Sequence, residues 1–377
     1  MIEIVMANEK VESVYVIGGE RLYREAIHHP RCGELIITHI QKVYESCDAF
    51  FPNISQQDWE ISVVNSIETE GDVKYEKVVY RRQGLENASE YQYLGLLNRV
   101  LTSGVERTDR TGVGTLSVFG ANMRFDIGRS LPLLTTKKVI FKSVCEEILW
   151  MLRGCTDVKK LREKGVHIWD ANSTAEFQKK NGLSLEADDI GPTYGYLMRY
   201  FGLNDYTTCH EDYRGEGGVD QVVECLRLIR EDPMSRRIIM TLWNPQEVRK
   251  ASLPPCACFY QWYVADGKLS CSVYQRSGDL MLGVPFNMVS ATLITVIFAK
   301  ICGLELGELF HTIGDAHIYK NHIDGAKEQL NREPRPFPKL VVGREGNTYN
   351  KVEDFTYEDF KVLGYNPYPF IKLPMAE

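Results

Sequence analysis

Residues 253–279 read LPPCACFYQWYVADGKLSCSVYQRSGD, and much of the architecture follows from them. Asp266-Gly267 is a type I′ hairpin signal, because both central positions of that turn need positive φ. It joins two runs rich in aromatic and β-branched residues, 258–264 and 268–275, as antiparallel strands. Downstream, residues 287–301 are almost wholly apolar and read as a helix buried in the core. Upstream, residues 237–243 read as a strand, and 219–230 as an amphipathic helix ending at Asp232-Pro233. Long helices mixed irregularly with antiparallel strands indicate an α+β class.

Further upstream, residues 91–103 form a helix ended by Gly104, and 115–119 and 122–126 read as strands around Gly120. Ser143-Val144-Cys145-Glu146 has the spacing of a capping box, which starts a helix running to Arg153. Residues 1–83 alternate differently. A buried strand over 14–17 leads through Gly18-Gly19 into a helix over 20–27. Strands over 35–38, 59–64 and 75–80 follow, the last two as an antiparallel pair. The expected division is 1–83, a polar linker over 84–90, and 91–377.

The chain has 377 residues, 44% of them apolar and 25% charged, values of a folded globular protein. Residues 1–83 carry 9 basic and 14 acidic groups, and the whole chain has net charge −7. A broad nucleic-acid-binding surface, DNA in particular, is therefore not expected. No run approaches 18 consecutive apolar residues, so no membrane span is expected. The start of the chain lacks a secretory pattern, and ten cysteines form no regular framework. Reduced thiols and a cytoplasmic location are the expectation.

Leu253-Pro254-Pro255-Cys256 fixes the backbone just before a strand, a rigid corner from which a sulfur can reach a cleft. A small buried side chain fits the same tetrapeptide. No second cysteine pair lies at zinc spacing from Cys256-Ala257-Cys258, and no metal is expected. A nucleophilic thiol needs positive neighbours. Arg110 lies in Asp109-Arg110-Thr111-Gly112, Arg236 and Arg237 enter a strand, and Arg276 leaves one. Guanidinium groups match phosphate bidentately, so their convergence implies a phosphomonoester. Glu147 lies beside the Val144, Ile148, Met151 stripe of its helix, where burial raises a carboxyl pKa; a rim position is the alternative. Asn287 opens the apolar helix, either as its N-cap or as an amide that reads a pyrimidine edge. His317 and Tyr319 share a side if their stretch is extended, as a structural pair or as ligands of sugar hydroxyls.

Together these motifs resemble thymidylate synthase. The resemblance covers residues 91–377 and includes, in family order, Asp109-Arg110-Thr111-Gly112, Glu147, Ile168-Trp169-Asp170 and Gly191-Pro192-Thr193-Tyr194-Gly195. Ser235-Arg236-Arg237, Pro255-Cys256, Gln275-Arg276-Ser277, Pro285-Phe286-Asn287 and His317-Ile318-Tyr319 complete it. It implies reductive methylation of dUMP by 5,10-methylenetetrahydrofolate. Cys256 would be the nucleophile, with Glu147, Tyr194, Asn287 and Asp279 assisting. Arg110, Gln275, Arg276, Ser277, Gly278, Asp279, Asn287, His317 and Tyr319 would hold dUMP. Arg236 and Arg237 would reach it from the other subunit of a homodimer. Ile168, Trp169, Asp279, Phe286 and Met375 would line the folate side, with residues 374–377 closing over it.

Residues 1–83 resemble the C-terminal part of dihydrofolate reductase through Val16-Ile17-Gly18-Gly19, Tyr23, Ala49-Phe50-Phe51-Pro52, Trp59 and Tyr80-Arg81-Arg82. Reductase then synthase is the order of the bifunctional enzymes of protozoa and plants. The resemblance begins inside the reductase domain. Gly18 and Gly19 would be what remains of an NADPH phosphate loop, and no reductase activity is expected from these residues alone. Ala257 stands where the synthase family commonly has His, Gly278 where it has Cys, and Ile140 where some members have a folate-contacting His. These departures imply lower affinity rather than lost function. Three other readings stay open: a pyrimidine hydroxymethylase on the same fold, an RNA-binding repressor, and an NADPH-dependent reductase.

Overall fold

The computed structural model describes residues 16–27, 32–44, 46–55, 59–64, 67–82, 87, 89–108, 112–203, 206–344 and 346–374. The chain divides into two compact units, Met1–Ala88 and Ser89–Glu377. In the first, helix α1 (Glu20–Ile27) precedes strands β1 (Glu34–Ile40), β2 (Trp59–Val64), β3 (Glu68–Glu70) and β4 (Val73–Arg82). β4 runs antiparallel to β1, β2 and β3. The expected β2–β4 pair is present, but β3 intervenes and makes the tight turn into β4 through Gly71 at φ 63°. Ile27, Leu35 and Trp59 form the small core. The expected strand over 14–17 is not found: Val14 and Tyr15 lie outside the described residues, Val16 and Ile17 are not in a strand, and Ile17 is 87% exposed.

The second unit opens with α2 (Glu90–Ser103), β5 (Val105–Arg107), β6 (Thr115–Asp126), α3 (Phe141–Leu152), α4 (Val158–Arg162), α5 (Ala175–Lys180), α6 (Tyr194–Arg199) and α7 (Gln221–Glu231). Then come β7 (Ile239–Thr241), β8 (Ala257–Ala265), β9 (Lys268–Asp279), α8 (Gly283–Cys302), β10 (Glu305–Tyr319), α9 (Ile323–Leu330), β11 (Lys339–Val342) and β12 (Phe360–Leu363). Six strands form one sheet in the order β5-β6-β10-β9-β8-β7. Only β9 and β10 pair in parallel, so the sheet is mixed and the class is α+β. The β8–β9 turn has φ 50° at Asp266 and 72° at Gly267, as a type I′ hairpin requires.

Parallel neighbours need a crossover, and α8 supplies it between β9 and β10. That position explains its composition: it packs on the sheet and is buried along nearly its whole length. α8 is long and apolar enough to cross a membrane, but 83% of its apolar window is buried inside the fold, as in a core helix.

Several expected boundaries change. α3 begins at Phe141 with Ile140 as its N-cap and no side-chain cap bond, so Ser143 lies inside the first turn and no capping box forms. Residues 115–126 are one strand, with Gly120 at φ 77° within it. β7 is shorter than the expected 237–243. β9 continues to Asp279, so Arg276 lies within a strand rather than leaving one. α8 starts at Gly283 with Leu282 as its N-cap, which removes the N-cap reading of Asn287.

Candidate active site

Cys256 sits half-buried immediately before β8. Two prolines restrict the chain before it, and Arg276 on the neighbouring strand braces the corner. Arg276 Nε donates to the Pro255 carbonyl and Nη2 to the Pro254 carbonyl, both at 2.9 Å. The same Nη2 lies 3.8 Å from Cys256 Sγ. A fixed guanidinium beside a thiol favours its thiolate. Other cysteines differ: burial pushes the Cys225 and Cys271 thiols up to about 12. Cys258 is also buried, which raises its thiol pKa, and its Sγ turns to the Pro255 and Cys256 carbonyls.

A chain of polar contacts reaches this corner from α3. Glu147 is half-buried, and protein crowds its carboxyl closely enough that desolvation pushes the pKa up to about 7, against the lowering effect of its hydrogen bond. That bond comes from Trp169 Nε1, 2.7 Å from Glu147 Oε1. The Trp169 ring meets Tyr194 edge-on at 6.1 Å. The Tyr194 hydroxyl accepts from Cys256 N at 2.7 Å, and burial holds its pKa well above the ordinary phenol value. Tyr194 therefore carries its proton at neutral pH.

On the other side lies a set of amides. Gln275 is paired across the sheet with Ala257, the residue after the thiol. Its Nε2 donates to Ser277 O and to Asn287 Oδ1, both at 2.9 Å, while Oε1 lies 2.7 Å from His311 Nε2. Asn287, in the first turns of α8, thus turns its oxygen inward.

At the end of β9, Asp279 Oδ1 accepts from Met281 N and pairs in register with His317. His317 and Tyr319 are both on β10, their rings edge-to-face at 5.4 Å. His317 Nδ1 lies 3.1 Å from Asp315 Oδ1, a contact that, with Arg107 nearby, keeps Asp315 below the usual carboxylate range. Ile168 and Phe286 pack partly buried against the core. Gly278 is close-packed: a Cβ there would come within 2.8 Å of Val284 Cγ2 and 3.0 Å of Ile313 Cγ2.

Arg236 and Arg237 are exposed and precede β7, the edge strand. No hydrogen bond or ion pair joins either guanidinium to another group among the described residues. Arg110 and Met375 lie outside the described residues. Gly19, at φ 79°, precedes α1, and neither Gly18 nor Gly19 has a neighbour within 4 Å of the position of a Cβ. Among the described residues only Asp157, Cys209 and His210 bring three metal-ligand atoms within 4.8 Å of one another, and neither Cys256 nor Cys258 belongs to such a group.

The thymidylate synthase family model matches residues 91–377, and that of dihydrofolate reductase matches residues 1–82. The chain belongs to the thymidylate synthase family. It is 42% identical over 377 residues to a bifunctional dihydrofolate reductase-thymidylate synthase of Paramecium tetraurelia, covering 98% of this chain and 80% of that protein. Its identity to the protein of the same description in Zea mays is 40%, with 97% and 76% covered. The thymidylate synthase of Homo sapiens is 50% identical over 288 residues, 76% of this chain and 90% of that protein. The chain is therefore a thymidylate synthase enzyme with a dihydrofolate reductase family region before it. Both families use folates, and the reductase family uses NADPH.

The synthase unit also contains buried polar groups that the sequence reading did not single out. Glu90 is fully buried and accepts from the backbone and hydroxyl groups of Thr135 and Thr136; burial still raises its pKa. Lys137 donates to the Met281 carbonyl, and burial lowers its pKa to about 8. His322 Nε2 lies 2.7 Å from Pro374 O, which ties down the C-terminal segment. His311 is fully buried on β10. Strand alternation could have turned His311 inward on paper; the long-range partners of the others leave no local pattern.

Proposed function

We propose that the synthase unit methylates dUMP reductively through a covalent adduct on Cys256. The observation that carries this reading is the Cys256 thiol held between the Arg276 guanidinium, 3.8 Å from Sγ, and the Tyr194 hydroxyl on its backbone N–H. The Cys256 thiolate adds to uracil C6, which makes C5 an enolate-like carbon and divides one hard step into two easier ones. Charge developing at O4 is stabilised by the Asn287 amide N–H and, through water, by the Glu147 carboxyl, whose pKa near 7 allows it to give or take a proton. 5,10-Methylenetetrahydrofolate supplies both the one-carbon unit and the hydride when bound, so dTMP and dihydrofolate form in equal amounts. The C5 proton leaves to a water, and the Tyr194 hydroxyl, which keeps its own proton, holds that water by a hydrogen bond. Elimination of Sγ from C6 then restores the thiolate.

Arg110, Arg276 and Ser277 hold the phosphate in this reading, and His317 and Tyr319 the 3′-hydroxyl. Trp169, Ile168, Phe286, Asp279 and Met375 form the folate side. Arg236 and Arg237 complete the phosphate site from a second copy. Support for a homodimer comes from the sheet face opposite α8: Tyr263, Tyr274 and Phe310 point outward there, 66%, 42% and 37% exposed. Among residues 1–83, the backbone N–H groups following Gly18 and Gly19 would meet an NADPH phosphate.

The test is to mix the purified chain with dUMP and 5,10-methylenetetrahydrofolate, follow dihydrofolate formation, and identify the nucleotide product. Equal amounts of dTMP and dihydrofolate are expected. A hydroxymethyl nucleotide without dihydrofolate would replace the reading with that of a hydroxymethylase.

A further inference from the structure

The chain of amides beside Cys256 has a direction, and its direction can be read from the backbone outward. Ser277 O is a carbonyl and only accepts, so the Gln275 atom 2.9 Å from it must be the amide nitrogen. The same nitrogen has a second hydrogen, and it points at Asn287, 2.9 Å away. The Asn287 atom that receives it is therefore the oxygen, which leaves the Asn287 NH₂ group facing away from Gln275. Gln275 is 1% exposed, so its remaining atom, Oε1, needs a donor within the protein. His311 Nε2, 2.7 Å away on β10, is the partner found there.

This fixes the tautomer of His311. Its ring is fully buried, and Nδ1 has no hydrogen-bond partner. A proton on Nδ1 would leave a buried donor unpaired and bring a bare Nε2 against Oε1. A proton on both nitrogens would bury a charge, and burial holds the His311 pKa down at about 4. Only the neutral Nε2–H form satisfies Oε1.

We propose that His311 is a positioning residue of the pyrimidine site, which locks Gln275 so that Asn287 presents its NH₂ group to the 4-position of the nucleotide base. The proposal rests on the dUMP reading above. A 4-oxo pyrimidine offers an acceptor to that group, whereas a 4-amino pyrimidine offers a donor. Without the His311 N–H, Gln275 Oε1 is a buried acceptor with no partner; Ser277 O alone then orients the Gln275 amide, its hold on Asn287 weakens, and Asn287 can turn either edge to the 4-position of the base. His311 touches no substrate, so its removal should change recognition while the thiol chemistry survives.

The experiment compares His311→Met, similar in volume but without a donor, with His311→Gln, whose amide N–H reaches the place of Nε2. Steady-state kinetics with dUMP, and competition of dUMP binding by dCMP, are measured for each. His311→Met should raise the dUMP KM by about tenfold, the worth of one buried hydrogen bond, with a smaller change in kcat. It should also lower the dUMP-over-dCMP preference by at least as much. His311→Gln should recover most of both. Wild-type KM and preference in a folded His311→Met variant would overturn the proposal, as would equal losses in the two variants. ¹⁵N NMR of the imidazole in the wild-type chain covers the case in which the His311→Met variant does not fold: a protonated Nε2 and bare Nδ1 at neutral pH are expected, and the reverse tautomer would overturn it. Failure of the wild-type chain to methylate dUMP would strike the functional reading instead, and is seen separately.

Discussion

The Pro254–Cys256 corner, just before β8, and the Gln275, Asn287 and His311 group, carried by β9, α8 and β10, are organised in opposite ways. The corner is half-buried and charged: a guanidinium spans two carbonyls and a sulfur. Gln275 and His311 are buried and neutral, and each bond fixes the next as far as Asn287, half-buried, whose NH₂ group stays free of the chain of contacts. A group that must become an anion needs a cation and some contact with water. A group that must tell one base edge from another needs a fixed direction, which neutral hydrogen bonds supply without the cost of burying charge. Reactivity and recognition are thus held by different physics a few ångströms apart, and variants should separate them.

The largest effect belongs to the corner. Cys256→Ser should lower kcat roughly 10⁴-fold or more, because a hydroxyl beside Arg276 has almost no anion at neutral pH. Circular dichroism should show the fold unchanged. Near-wild-type turnover would remove the nucleophile assignment.

Glu147→Gln should lower kcat by about 10²–10³-fold and change the pH profile. The folded carboxyl titrates near 7, above its ordinary value. If its protonated form serves O4, kcat/KM falls as pH rises through about 7, and the Gln variant lacks that descending limb. The same shift has a stability consequence. The folded chain keeps a proton that the unfolded chain releases, so this group costs stability as pH rises from its ordinary carboxyl range through about 7. Chemical denaturation at pH 5 and pH 8 should show wild type losing more than the Gln variant.

Subunit sharing is tested by mixing. Arg236→Glu and Cys256→Ser should each be nearly inactive alone. Random reassortment gives half heterodimers, each with one intact site, so about a quarter of wild-type activity should return. Heterodimers without activity would put both groups in one site of one chain.

The smallest effect is expected at Gly278. A methyl group there meets Val284 and Ile313, and overpacking of this kind costs about 1–3 kcal/mol. Gly278→Ala should lower the melting temperature and raise the dUMP KM by about twofold to fivefold, because the added methyl also comes within 3.4 Å of Gln275 Nε2.

The elements with strong local signals were legible in the sequence. The Asp266-Gly267 turn, α1 over Glu20–Ile27 and β2 over Trp59–Val64 fall where patterning puts them. Starts of helices were less so: Ser143-Val144-Cys145-Glu146 has capping spacing, yet the N-cap of α3 is Ile140, three residues before Ser143, because Phe141 is buried in the core and extends the helix. α8 begins four residues before its apolar run for a similar reason, with Val284 and Pro285 already buried. In the site, motif residues such as Cys256 and Glu147 are visible on paper. Their partners, Trp169 for Glu147 and Tyr194 for the Cys256 backbone, are 22 and 62 residues away in sequence and become neighbours only through the fold. His311 belongs to no motif, and its importance appears only when the hydrogen bonds of Gln275 are counted.

Mass spectrometry of the enzyme quenched during turnover with dUMP and 5,10-methylenetetrahydrofolate tests the covalent step most directly. The tryptic peptide 251–268 contains both Cys256 and Cys258, so the second thiol is an internal control. A nucleotide-derived mass is expected on Cys256 alone, absent when dUMP is omitted. The adduct on Cys258, or dTMP accumulating with Cys256 unmodified throughout, would contradict it.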